Sequence, residues 1–129
     1  MTNSISLLGS TGSIGRQTLE VCREMGIRVE ALTAHHNIDL LERQARQFLP
    51  RLVVLYEMEA ALEMARRLSG LDIKVAYGLS GLTEAASLPE SDTVVTAVVG
   101  MVGLWPTLAA IERGKRIALA NKRALCALL

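Results

Sequence analysis

Short runs of β-forming residues alternate with helical stretches six times along this chain of 129 residues. Unbroken runs of Val, Ile and Leu predict strands that are buried on both faces, and the helices between them are long enough to cross from one strand to the next. Such crossovers are right-handed and make the strands parallel. We therefore predict an α/β fold with a doubly wound, mostly parallel, Rossmann-like sheet in a single three-layer domain spanning residues 1–129.

The individual elements follow from local patterns and their end signals. Asn37 is a good N-cap for the second helix, and Gly26, Gly70 and Gly114 are good helix ends. Predicted strands cover residues 4–8, 29–33, 52–55, 73–77, 93–99 and 116–119. Predicted helices cover residues 14–25, 38–48, 57–68, 78–87 and 104–113, and a further helix is predicted from Lys122.

Composition excludes several classes of partner. Fourteen basic and thirteen acidic residues leave a net charge of +1, so neither a nucleic acid nor a charged membrane surface is expected as partner. Only four residues are aromatic, which argues against binding of single strands by base stacking. No apolar run reaches the ~20 residues that span a bilayer.

The two cysteines, Cys22 and Cys126, lie in apolar, helix-like stretches, and no signal peptide precedes them. We expect both to be reduced and the protein to be cytoplasmic. Residues 126–129 match the C-a-a-X prenylation pattern literally. A chance match is easy in a chain rich in Ala and Leu, and no polybasic segment lies upstream, so we interpret these residues as part of a helix.

The strongest local signal is a glycine loop directly after the first strand, residues 9–15 (GSTGSIG). A glycine loop between a strand and a helix is the setting of a dinucleotide site, although the spacing here is G-x-x-G-x-x-G. We predict that Gly9 makes the tight turn, Gly12 lets the backbone approach a pyrophosphate, and Gly15 lets the helix pack closely. The amides of the helix start would face the phosphates, and the hydroxyls of Ser10, Thr11 and Ser13 would add donors.

The end of the second strand indicates which dinucleotide is bound. An NAD site places an acid there for the ribose 2′-hydroxyl, whereas this segment has no acid before Asp39. A carboxylate would repel a 2′-phosphate, so the absence of an acid favours NADP. The segment also offers hydrogen-bond donors to such a phosphate: Thr33, His35, His36 and Asn37. Alternatively, the two histidines are simply exposed loop residues. No third ligand lies nearby in the sequence, so we expect no metal site in this chain.

Three segments carry a resemblance to a known family: residues 6–19 (SLLGSTGSIGRQTL), residues 34–44, and residues 107–122. Together they resemble the N-terminal NADPH-binding domain of the 1-deoxy-D-xylulose-5-phosphate reductoisomerase family, and the likeness covers essentially the whole chain. These oxidoreductases convert 1-deoxy-D-xylulose 5-phosphate to 2-C-methyl-D-erythritol 4-phosphate for isoprenoid synthesis. They use NADPH and a divalent ion (Mg, Mn or Co).

The resemblance implies roles for particular residues. Thr11, Gly12, Ser13 and Ile14 would hold the pyrophosphate, and the segment Ala34 to Asn37 would face the adenosine. Asn121 would touch the cofactor, and Lys122 would bind the sugar-phosphate substrate. Lys122 also follows the sixth predicted strand at the ligand-binding edge of the sheet, where a lysine can hold an anion.

Departures from the family pattern limit what the chain can do. Arg123 replaces a glutamate that organises the cofactor end of the site, and Met101 is bulky where the family has small residues. The metal ligands and the catalytic domain of the family would lie beyond Leu129, so we expect no turnover from this chain alone. A non-catalytic dinucleotide-binding module or a structural remnant is the alternative. A different oxidoreductase, such as aspartate-semialdehyde dehydrogenase, would need a catalytic cysteine, and Cys126 is poorly placed for that role.

Apolar residues near the end of the chain suggest self-association. Residues 125–129 would be exposed without a catalytic domain, and Met101, Val102 and Trp105 would add to the same surface. Large exposed apolar patches tend to become buried in interfaces. We therefore expect a homo-oligomer.

Overall fold

A computed structural model of the chain describes residues 2–96 and 104–119. Within these two ranges, six strands and five helices alternate along the chain. The strands are β1 (Ser4–Leu8), β2 (Arg28–Ala34), β3 (Leu52–Leu55), β4 (Lys74–Tyr77), β5 (Thr93–Thr96) and β6 (Arg116–Leu119). The helices are α1 (Ser13–Met25), α2 (Ile38–Phe48), α3 (Met58–Arg67), α4 (Gly78–Ala86) and α5 (Leu104–Glu112).

The strands form one sheet in the order β4-β3-β2-β1-β5-β6, and every strand pair in the described ranges is parallel. From β1 the chain steps outward through β2 and β3 to β4. It then returns through α4 to β5, on the other side of β1. This is the doubly wound sheet that the sequence predicts.

Helices cover both faces of the sheet and create two apolar layers. On one face α1, α2 and α3 contribute Leu19, Leu41 and Met64. On the other face α4 and α5 contribute Leu82 and Ala110. Consecutive strand residues point to opposite faces, and both faces of the inner strands β3, β2, β1 and β5 are buried apart from Arg28. The edge strand β4 is only partly buried.

The observed element boundaries lie close to the predicted ones. Asn37 is the N-cap of α2, and α1 begins at Ser13, one residue before the predicted start. The strand β5 is described only to Thr96, and residues 97–99 of the predicted strand lie outside the described ranges. The helix predicted from Lys122 also lies outside them. None of the helices in residues 2–96 and 104–119 is long and apolar enough to cross a membrane.

Cys22 allows a test of the packing of α1. Its side chain is buried in the core between the sheet and the helices, and burial raises the pKa of its thiol to about 11. At pH 8 about one thiol in a thousand would be ionised, against roughly a quarter for an ordinary cysteine. In a Cys126→Ser variant, where Cys22 is the remaining cysteine, we expect alkylation by iodoacetamide to be slow in buffer and fast in denaturant. Rapid alkylation of the native protein would show that α1 does not cover this thiol.

Candidate functional site

The candidate site lies where the winding direction of the sheet changes. The strand β1 is central, with β2 on one side and β5 on the other, and the connections that follow β1 and β5 lead to opposite sides of the sheet. At such a change of direction, open α/β sheets bind ligands in the crevice at the carboxyl ends of the strands. The first part of the glycine loop, residues 9–12, leaves β1 at this point, and its last three residues begin α1.

The first two residues of the loop are held by β2. Gly9 has a φ of 89°, a left-handed conformation that favours glycine. Its N–H donates to the hydroxyl and the carbonyl of Thr33, at 3.0 and 3.2 Å, and the N–H of Ser10 donates to the same carbonyl at 2.8 Å. These two amides are therefore used to anchor the loop and are not directed at a ligand.

The side chain of Ser10 joins the loop to α2. Its hydroxyl donates to the Oε1 atom of Gln44 at 2.7 Å, and the Nε2 atom of Gln44 donates to the carbonyl of Ser10 at 2.9 Å. Both side chains are buried. This corrects the prediction that the Ser10 hydroxyl donates to a phosphate, because that hydroxyl is committed to Gln44. Gln44 was missed in the sequence analysis, although a polar residue on the buried stripe with Leu41 and Ala45 is a signal that could have found it.

Gly15 and Gly12, the other two glycines of the loop, differ in how much space surrounds them. A Cβ atom on Gly15 would lie 2.2 Å from the carbonyl oxygen of Gly9 and 2.8 Å from the Cα atom of Ser10. Gly15 therefore lets α1 pack directly against the loop, as predicted. Gly12 has an ordinary φ of −76°, and a Cβ atom there would meet no atom of the described residues within 4 Å. The chain itself does not require glycine at this position, so the open space in front of Gly12 is available to a ligand.

The start of α1 offers hydrogen-bond donors to that space. The N–H groups from Ser13 to Gly15 have no acceptor within the helix, whose first bond runs from Arg16 to the carbonyl of Gly12. Among the described residues, no side chain caps this end, and its first turn contains no acid. The positive end of a helix of 13 residues therefore faces the crevice, and free amides there attract an anion.

The end of β2 divides into supporting and exposed residues. Thr33 lies buried beneath Gly9, Ala34 is also buried, and the Asn37 side chain accepts a hydrogen bond from the N–H of Leu40 at 3.4 Å. Asn37 thus caps α2, as the sequence predicts. His35 and His36 are exposed at the edge of the sheet.

An acidic residue reaches the histidines from the neighbouring strand. The Nε2 atom of His35 lies 3.5 Å from the Oε1 atom of Glu57, and the His35 ring stacks on Tyr56 with a centroid separation of 5.5 Å. The sequence shows no third metal ligand close to the histidines along the chain, whereas the structure brings Glu57 beside them in space. Because Ala34 pairs with Leu55, the residues that follow these two strand ends come together. The parallel register of β2 and β3 is the signal that could have located Glu57.

Thr96 adds a polar group at the opposite side of β1. It is the last described residue of β5 and pairs in register with Leu8 at the end of β1. It was not predicted as a site residue. Its Oγ1 atom is buried and has no hydrogen-bond partner within the described part of the chain. A buried polar atom without a partner is unfavourable, so a ligand that enters the crevice could supply one.

Four residues named in the sequence analysis belong to segments that the structure does not describe. Met101, Asn121, Lys122 and Arg123 lie outside residues 2–96 and 104–119. Their assigned roles therefore stay predictions. The described part of the site comprises the glycine loop, the start of α1, the end of β2 with Glu57, and Thr96.

Comparison with known sequences gives one consistent result. The sequence model of 1-deoxy-D-xylulose 5-phosphate reductoisomerase matches residues 5–128. The chain is 52% identical over 125 residues to the reductoisomerase of Ruminiclostridium cellulolyticum, covering 97% of this chain and 33% of that protein. It is 55% identical over 131 residues to the enzyme of Heliobacterium modesticaldum, covering 98% and 34%. The chain therefore spans about a third of the length of these relatives.

Solved structures agree with the sequence comparison. The reductoisomerase from Zymomonas mobilis, in complex with NADPH, superposes with a TM-score of 0.85 and 35% identity over 97% of this chain and 33% of that chain. A reductoisomerase in complex with magnesium superposes with a TM-score of 0.87 and 40% identity, covering 97% and 32%. The fold therefore occurs in a family with solved NADPH complexes.

The two glycines of the loop should respond differently to the same substitution. We expect Gly15→Ala to lower the free energy of unfolding by about 1–3 kcal/mol, because the added methyl group overlaps the backbone of the loop. Gly12→Ala meets open space, so its cost should stay within the roughly 1 kcal/mol range of an N-cap change. Urea unfolding of both variants measures the difference. Equal losses of stability would contradict the close contact assigned to Gly15.

Proposed function

The chain belongs to the 1-deoxy-D-xylulose 5-phosphate reductoisomerase family, and on that premise we propose that it is the part of such an enzyme that binds NADPH. The observation that carries the proposal is the uncapped start of α1, which faces open space beside Gly12 at the point where the sheet changes direction. The NADPH complexes among the similar structures support it.

The pyrophosphate end of the site would use the backbone. The N–H groups of Ser13 and Ile14 lie in the first turn of α1, where amides have no helical acceptor. Thr11 and Gly12 precede them at the edge of the open space, and the absence of a side chain on Gly12 permits close approach. Gly9 and Ser10 would act indirectly, since Thr33 and Gln44 hold them in place.

The adenosine end would use the exposed residues that follow β2. His35 and His36 can donate hydrogen bonds to a 2′-phosphate, and the loop itself carries no acid. The carboxylate of Glu57 lies 3.5 Å from His35 and would oppose a phosphate placed beside it. We propose that NADPH is nevertheless preferred over NADH, on the basis of the acid-free loop and the NADPH complexes of related structures.

The reaction itself would need more than this chain. In the proposed full-length enzyme a sugar phosphate would be the substrate, with Lys122 as a contact, and a divalent ion such as Mg²⁺ would supply Lewis-acid polarisation of its oxygens. Within residues 2–96 and 104–119, the sole group of three side chains suited to a metal is His35, His36 and Glu57. It lies at the proposed adenosine end. We therefore propose that the chain alone binds cofactor and does not turn over substrate.

Nucleotide titration tests the cofactor assignment. We expect NADPH to bind more tightly than NADH, and Gly12→Val to weaken both by at least about tenfold, since its side chain would fill the space left for the pyrophosphate. Nicotinamide fluorescence, with calorimetry as a second readout, measures the affinities. Urea unfolding of Gly12→Val is the control, because a folded variant with lost binding separates a local effect from a global one.

Two outcomes would contradict the assignment. Failure of the unaltered protein to bind either nucleotide would favour the alternative of a structural remnant. Binding that Gly12→Val leaves unchanged would place the nucleotide elsewhere. Consumption of NADPH on addition of 1-deoxy-D-xylulose 5-phosphate and Mg²⁺ would contradict the proposed lack of turnover.

We also propose that the protein self-associates and works in the cytoplasm. Trp105, Leu108 and Ile111 follow one stripe of α5 and are 56%, 41% and 56% exposed. Cys22 is a free, buried thiol, which suits a reducing compartment.

The apolar stripe on α5 provides the test of self-association. Replacement of Trp105 and Ile111 by serine should shift the protein toward monomer in light scattering at a given concentration, because it removes apolar area from the exposed stripe. A matched replacement of Leu62, which is 63% exposed on α3, should leave the distribution unchanged. A monomeric unaltered protein at high concentration would contradict the proposal.

A further inference from the structure

We infer that His35, His36 and Glu57 form a binding site for a transition-metal ion of the Zn²⁺ type. The site lies at the carboxyl edge of the sheet, between the ends of β2 and β3. Its two imidazoles and one carboxylate suit an ion softer than magnesium, and it needs no nucleotide. The inference goes beyond the proposed function and stands on the geometry of these three side chains.

The ligand atoms already converge. One nitrogen of each histidine and one carboxylate oxygen all lie within 4.8 Å of one another. Bond lengths of about 2.0–2.2 Å in a tetrahedral zinc site place neighbouring ligand atoms about 3.4 Å apart. The His35 Nε2 and Glu57 Oε1 atoms are separated by 3.5 Å and already match. The remaining separations would close by little more than about 1 Å, which exposed side chains achieve by rotation.

The backbone that carries the ligands is held in place. The Tyr56 N–H donates to the carbonyl of Ala34 at 3.1 Å, which joins the residues next to His35 and Glu57. The His35 ring is also stacked on Tyr56 at an interplanar angle of 15°. Metal binding would therefore order side chains without rearranging the two strands that present them.

The carboxylate of Glu57 is not used by its own helix. Glu57 is the N-cap residue of α3, but it forms no side-chain capping bond within the described residues. The His36 ring meets the edge of the His35 ring, with centroids 5.1 Å apart. All three side chains are exposed, so an ion can reach them directly from solvent.

The ligand set decides which ion fits. Two imidazoles and one carboxylate suit Zn²⁺, Co²⁺, Ni²⁺ or Cu²⁺, whereas Mg²⁺ prefers an octahedron of oxygen ligands. Three protein ligands leave a fourth tetrahedral position for water or an incoming group. The site is therefore of the open kind, with the ion accessible to small anions.

Metal titration of nucleotide-free protein tests the inference. A Cys126→Ser background removes one competing thiol, and the other thiol, Cys22, is buried. We expect one equivalent of Zn²⁺ to bind by calorimetry, Co²⁺ to give the visible absorption of a tetrahedral site, and excess Mg²⁺ to leave both unchanged. His36→Ala and Glu57→Gln should each weaken Zn²⁺ binding by at least about tenfold.

Asp39→Asn is the matched control, because Asp39 is an exposed carboxylate near the same loop and outside the cluster. It should leave the affinity for Zn²⁺ unchanged. Circular dichroism of each variant confirms that it is folded. Absence of Zn²⁺ binding, or binding that both His36→Ala and Glu57→Gln leave unaffected, would overturn the site. Because the titration uses no nucleotide, its failure would leave the NADPH assignment standing, and failure of NADPH to bind would leave the metal site standing.

Discussion

The contact between Gly15 and the backbone of Gly9 sets the geometry of the whole site. It brings the start of α1 against the end of β1. Any side chain at position 15 would collide with the loop backbone at this separation. This close approach places the amides of the first turn of α1, which have no acceptor within the helix, at the carboxyl edge of the sheet beside β1. Every role proposed for the glycine loop depends on that placement, because amides attract an anion only where they point.

Buried polar residues hold this contact in place. Thr33 accepts hydrogen bonds from the N–H groups of Gly9 and Ser10, and Gln44 forms two hydrogen bonds with Ser10. An unpaired polar group at such a position would cost about 1–3 kcal/mol, so the network strongly favours one conformation of the loop. Polar residues close to the candidate site thus fall into two groups: buried ones that support the backbone, and exposed ones that are available to ligands.

The carboxyl edge of the sheet offers two kinds of chemistry side by side. Beside β1, backbone amides and the dipole of α1 favour an anion such as a pyrophosphate. Beyond β2, two imidazoles and the carboxylate of Glu57 favour a metal ion of intermediate softness. Both places exist because parallel strands deliver the residues that follow them to one edge. The family relationship supports the first, whereas the second rests on the side chains of this chain alone.

The sequence by itself determined the alternation of elements, the parallel sheet, the three glycines and the N-cap at Asn37, because each depends on a local pattern or on the handedness of crossovers. It could not show that Ser10 faces Gln44, that Glu57 lies beside His35, or that Thr96 lacks a partner in the described part of the chain. Ser10 and Gln44 are 34 positions apart in the sequence, and His35 and Glu57 are 22 positions apart. Only the packing of α2 on the loop and the register of β2 with β3 bring them together.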